Sequence, residues 1–148
     1  REYNIENKGL NFEWLAWEHG FNQAKDPDTG ETIILTRYPE EAKKLKATNV
    51  PHLLVQNPKT DHLPTAKRAA FINSVTYHPN NPELLIATFF HEGRVYKINK
   101  KNKQASEVLG GLKSPHGGHI SGDKLIATST GSGEIFLKRE YRQSVSDS

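Results

Sequence analysis

His19, Asn73 and His116 are the residues whose types could do chemistry and whose settings match one another. Each stands directly before a small residue, in the pairs His19-Gly20, Asn73-Ser74 and His116-Gly117. Imidazole nitrogens with an amide oxygen can hold a divalent cation, zinc by preference, or calcium if carboxylates join. The same residue types at the start of a strand also make local backbone hydrogen bonds that fix a turn, or contact a ligand without any metal. These readings stay open for all three residues, and a metal would rest on His19 and His116. The three lie far apart in the chain, so only a fold that returns to the same place could gather them.

The remaining candidates are weaker. The chain has seven histidines and no cysteine, which removes disulfides, thiolate metal sites and cysteine nucleophiles. It leaves the compartment open, since a thiol-free chain suits a cytoplasmic or an exported setting alike. His119 follows His116 by three residues, and on a regular strand the two would point to opposite faces unless a bulge intervened. His91 and Glu92 sit in the turn Phe90-His91-Glu92-Gly93, which predicts an exposed imidazole and a turn acid; a base role for Glu92 is the alternative. His52, His62 and His78 have no motif around them. Asp26-Pro27-Asp28-Thr29-Gly30-Glu31 lacks the acid spacing and distant glutamate of a calcium loop and reads as a β-turn. Gly131-Ser132-Gly133 lacks the lysine of a phosphate loop, and no Gly-x-Ser-x-Gly elbow occurs.

The element that must position the trio is a repeat. Leu85-Ile86-Ala87-Thr88 recurs as Leu125-Ile126-Ala127-Thr128, 40 positions on, and the register then holds through Gly93/Gly133, Val95/Ile135 and Tyr96/Phe136. Each copy reads as an apolar strand, a glycine turn and an alternating strand, which is a β-hairpin. An upstream copy runs through Gly30-Glu31-Thr32-Ile33-Ile34-Leu35-Thr36, with its hairpin partner displaced to Val50–Val55. The displacement is explained by an insertion at 39–47 (PEEAKKLKA), which has proline first, acids early and lysines late, as a short helix should. Glu40 and Lys44 fall at i,i+4 on it. Ala105 to Leu109 is a candidate outer strand. Four strands per unit at a spacing near 40 is the pattern of β-propeller blades.

The fold expected is therefore all-β, with about three four-stranded blades at 9–57, 69–110 and 111–143 in one domain spanning 1–143. Residues 144–148 read as a frayed tail. Phe12, Trp14 and Trp17 are expected in the core between blades. The pattern Pro115-His116-Gly117, then Lys124 to Thr128, Gly133 and Glu134 to Leu137, resembles the NHL-type blades of six-bladed propellers, a group that includes gluconolactonase-like, strictosidine-synthase-like and amidating-lyase proteins. The resemblance implies a channel mouth at which His19, Asn73 and His116 would converge. It also implies a chemistry of channel histidines around zinc, or of Glu, Asn and Asp; this chain matches neither set in full.

Closed propellers have typically four to eight blades, so three imply half of a six-bladed ring. A second copy of the chain, or another chain, would supply the rest. The sequence starts at Arg1 and has no methionine, which reads as a processed form or a piece of a longer chain. No apolar run approaches the roughly 20 residues of a membrane span, so the chain reads as soluble. A net charge of +3 is modest, and Lys97, Lys100, Lys101 and Lys103 read as guards of a strand edge rather than a nucleic-acid face. The leading function is a binding or scaffold module that engages a ligand or protein at the channel mouth. The alternative is a metal-dependent hydrolase or lyase whose site is completed by further blades.

Overall fold

A computed structural model describes residues 1–25, 29–57, 60–61 and 70–139. The Asp26–Asp28 part of the expected turn, His62 and the tail at 144–148 lie outside the described residues. The described chain is mostly β, with one α-helix, and divides into two compact units, Arg1–Phe71 and Ile72–Ser148.

In the first unit, strands β1 (Glu2–Tyr3) and β2 (Leu10–Phe12) form an antiparallel pair. The Asn4 side chain organises their connection by accepting from the Glu6 and Asn7 amides at 2.9 and 3.1 Å. A short 3-10 helix, Ala16–His19, follows and stops at Gly20, whose φ of 84° few other residues adopt. Strands β3 (Gln23–Lys25) and β4 (Thr32–Thr36) are antiparallel. Then comes helix α1, Pro39–Ala47, at the bounds its sequence predicts. Its ion pair differs from expectation: Glu40 meets Lys43 at 2.7 Å, one residue short of Lys44, on an exposed face where such a pair contributes little. The buried Thr36 hydroxyl donates to Glu41 and accepts from the Tyr38 amide, which fastens the helix start to the end of β4.

Strand β5 (His52–Leu54) pairs with β4 in parallel, not as the antiparallel partner of a hairpin. The cause is the helix itself. Parallel neighbours need a crossover of about a dozen residues or more, usually a helix, and the α1 connection supplies one. The first unit thus holds a three-stranded mixed sheet, β3-β4-β5, where a four-stranded antiparallel blade was expected.

The second unit carries the repeat. Strands β6 (Ile72–His78), β7 (Asn81–Phe89), β8 (Arg94–Asn99) and β9 (Ala105–Leu109) form a four-stranded antiparallel meander. Strands β10 (Pro115–Ser121), β11 (Lys124–Ser129) and β12 (Glu134–Arg139) repeat its first three members. The hairpin registers match: Ala87 faces Tyr96 as Ala127 faces Phe136, and Thr88 faces Val95 as Thr128 faces Ile135. The two sheets share one core, in which Ile86, Val95, Leu112, Leu125 and Ala127 are buried with Val108, Leu109, Ile120 and Phe136 against them. At Gly118 the sheets approach too closely for a side chain, because a Cβ there would lie 2.5 Å from Thr88 Oγ1 and 3.1 Å from Val95.

Candidate functional site

The strand starts of the second unit bring two of the three candidate residues together. Asn73 Nδ2 donates to the Pro115 carbonyl at 2.8 Å and lies 3.0 Å from His116 Nδ1. The Pro115 contact fixes the amide, since a carbonyl can only accept. With Nδ2 so oriented, His116 Nδ1 must be the acceptor and the ring proton sits on Nε2. The His116 ring also meets the edge of Phe90, with centroids 5.4 Å apart, while its own carbonyl accepts from Thr128 Oγ1 at 3.0 Å. The result is an exposed imidazole, held from two sides, that presents an N–H.

The backbone explains how Asn73 reaches its partner. On β6, Ile72 pairs with Phe89 and Ser74 with Thr88, so Asn73 is the extra residue of a bulge. By register, Ser74 and not Asn73 holds the place that His116 holds opposite Thr128. A bulge re-aims the side chain it displaces. Asn73 Oδ1 and Ser74 Oγ are buried without a hydrogen-bond partner, which marks the bulge as a place of polar demand.

A second bulge lies between His116 and His119, with Gly117 at φ 63°. It places His119 opposite Ile126, two residues from the partner of His116, so the backbone sets both histidines on the same side of β10. Their rings nevertheless take different partners: His119 Nδ1 lies 2.7 Å from the Gly117 carbonyl, to which it donates. Among the described residues, no three His, Cys, Asp or Glu side chains gather as a metal site.

His19 belongs to the first unit. It ends the 3-10 helix rather than opening a strand, and its ring stacks on Trp14 at 4.7 Å and 7°. Trp14 also contacts Phe21, and the Arg37 guanidinium lies 4.9 Å over Trp17. These aromatics are half-buried packing residues of their own unit.

Phe90 and Ser74 escaped the sequence reading. Phe90 continues an apolar strand and gives no sign of its role, and a one-residue bulge leaves no trace in a 40-residue spacing. Next to Phe90, His91 is exposed as expected, and Glu92 is partly buried. Burial pushes the Glu92 carboxyl above its ordinary range, and the opposing pull of Arg94 and His91 does not cancel it. Folding therefore favours the protonated acid, a contribution present below the ordinary glutamate range and lost as pH rises through the raised value. Glu92→Gln is expected to raise the thermal midpoint by about 1–3 °C near neutral pH. The gain should vanish below about pH 4, as calorimetry across that range would record.

No family model, curated protein or solved structure matches this chain. Among the described residues, no helix is long and apolar enough to cross a membrane.

Proposed function

We propose that this chain is a propeller-type binding module that uses His116, set by Asn73, to engage a hydrogen-bond acceptor on a ligand or protein partner. The observation that carries the reading is the Asn73–Pro115–His116 arrangement, which leaves an outward Nε2–H and no free Nδ1. Such a donor suits a carbonyl or carboxylate. Zinc would need the lone pair on Nε2 and the proton on Nδ1, and then the Asn73 amide would have to turn its oxygen toward the Pro115 carbonyl, a repulsive pairing. The propeller arrangement is supported by two antiparallel sheets that repeat at 40 residues, share their register and pack face to face. The likeness to NHL-type blades is part of the same proposal and adds the channel mouth as the place of binding.

Long-range proton–nitrogen spectra near about pH 8 should show His116 as the Nε2–H tautomer, and Asn73→Ala should return it to a mixture. Zinc added to the protein should leave those signals in place. Stoichiometric zinc that disappears in His116→Ala and His19→Ala variants would instead establish the metal-dependent hydrolase or lyase reading.

A further inference from the structure

Lys97 and Lys138 interrupt the two apolar faces that pack against each other in the second unit. Directly paired residues on antiparallel strands share a face of the sheet. Lys97 pairs with Ile86, and Lys138 pairs with Leu125, which in turn pairs with Ile120. Ile86 and Leu125 belong to the core between the sheets, so both lysines stand on the facing sides. The repeat does not account for them: 40 positions after Lys97 stands Leu137, and 40 before Lys138 stands Ile98. Between the sheets lies a groove of about 210 Å3, partly open to solvent, with an aliphatic floor of Ile86, Val108, Ile120 and Leu125.

Charge decides what suits this groove. Glu107 and Arg139 line it beside the two lysines. Glu107 is paired with Arg94 at 2.5 Å and Arg139 with Asp123 at 3.3 Å, so these four side chains together are neutral. Lys97 and Lys138 add two positive charges to that balance. Lys138 Nζ donates to the Val108 carbonyl at 2.6 Å, which fixes the ammonium beside the floor and engages one of its three N–H donors.

We propose that the groove binds a small aliphatic carboxylate, with its chain on the apolar floor and its carboxylate at Lys97 and Lys138. A free inorganic anion would leave the floor wet, and a neutral alcohol would leave the lysines unanswered. The volume is below the roughly 300–1,000 Å3 of pockets that enclose a drug-sized molecule. The ligand is accordingly short, about eight carbons, and weakly held, with a Kd on the order of 0.1–1 mM. Nothing here rests on His116. That residue pairs with Thr128, three residues from Leu125 on β11 and so on the opposite face of the sheet.

Octanoate titrated into the whole chain, followed by proton–carbon methyl spectra, is the test. The methyls of Ile86, Val108, Ile120 and Leu125 should shift and saturate, while the His116 ring signals stay in place. Lys97→Gln and Lys138→Gln should each weaken binding by about threefold to tenfold. Lys113→Gln, an exposed lysine held beside Ser129 at the other end of β11, should leave it unchanged. Should Lys138→Gln loosen β12 in far-UV circular dichroism, Lys97→Gln carries the comparison alone. Absence of saturable shifts up to about 10 mM octanoate would overturn the proposal. So would equal binding of 1-octanol, equal binding by the Lys97 variant, or displacement of octanoate by inorganic phosphate at the same concentration.

Discussion

Gly93→Ala is expected to destabilise the second unit by about 3–4 kcal/mol, lowering its thermal midpoint by roughly 10 °C or more. Two costs combine at this residue. Its φ of 64° lies in the left-handed region, where an L side chain costs roughly 1–2 kcal/mol. A Cβ would also stand 2.2 Å from the Leu112 carbonyl oxygen, a backbone atom that cannot rotate away. Leu112 is itself held, because its amide donates to the Gly93 carbonyl at 3.0 Å and its side chain is part of the shared core. Relief would have to pull that side chain out of its packing. Gly133, the same residue one repeat later, supplies the control. Its φ is 72°, yet nothing lies within 4 Å of an added Cβ, so Gly133→Ala should cost only the conformational part, roughly 1–2 kcal/mol. Urea unfolding followed by far-UV circular dichroism separates the two. Equal losses would mean that the Leu112 contact yields freely.

The contrast between those glycines also marks what a sequence can and cannot disclose. The hairpins built on Leu85 and Leu125 were legible because strand period, turn glycine and apolar identity all repeat together. Helix α1 was legible for a local reason: Pro39, the early acids and the late lysines each favour one end of a helix. The parallel pairing of β5 was not legible, since a three-residue strand carries no directional signal and its partner is chosen by where the helix delivers it. The site was half legible. Residue type singled out Asn73 and His116, and their place before a small residue equated them, whereas the register equates Ser74 with His116 and makes Asn73 a bulge. That one-residue difference allows the amide to reach across to β10. His19 was set beside them by its following glycine, and Gly20 instead ends a 3-10 helix. A residue pair such as His-Gly specifies a turn without specifying what enters it.

Ile86→Ala should cost about 3 kcal/mol, whereas Ile126→Ala, the same substitution at the same repeat position, should cost about 1 kcal/mol or less in the dilute chain. Ile86 is fully buried in the core between the two sheets, beside a groove of about 210 Å3 lined also by Val108, Ile120 and Leu125. Truncation removes three carbons and enlarges that groove. Because the groove is partly open to solvent and is also lined by Lys97, Lys138 and Arg139, water can enter part of the new space, which keeps the loss in the lower half of the usual range of about 2–5 kcal/mol. Ile126 lies on the other face of its sheet and is only half-buried. Its neighbours in the row, His119 and Leu137, are exposed, so its truncation leaves a dent and no cavity. Thermal melts of the two variants against the parent chain record the difference. The Ile86→Ala deficit should be the larger, because a sheet of the same chain covers that side chain. A deficit at Ile126 as large as that at Ile86 would mean that its face is packed as tightly as the core.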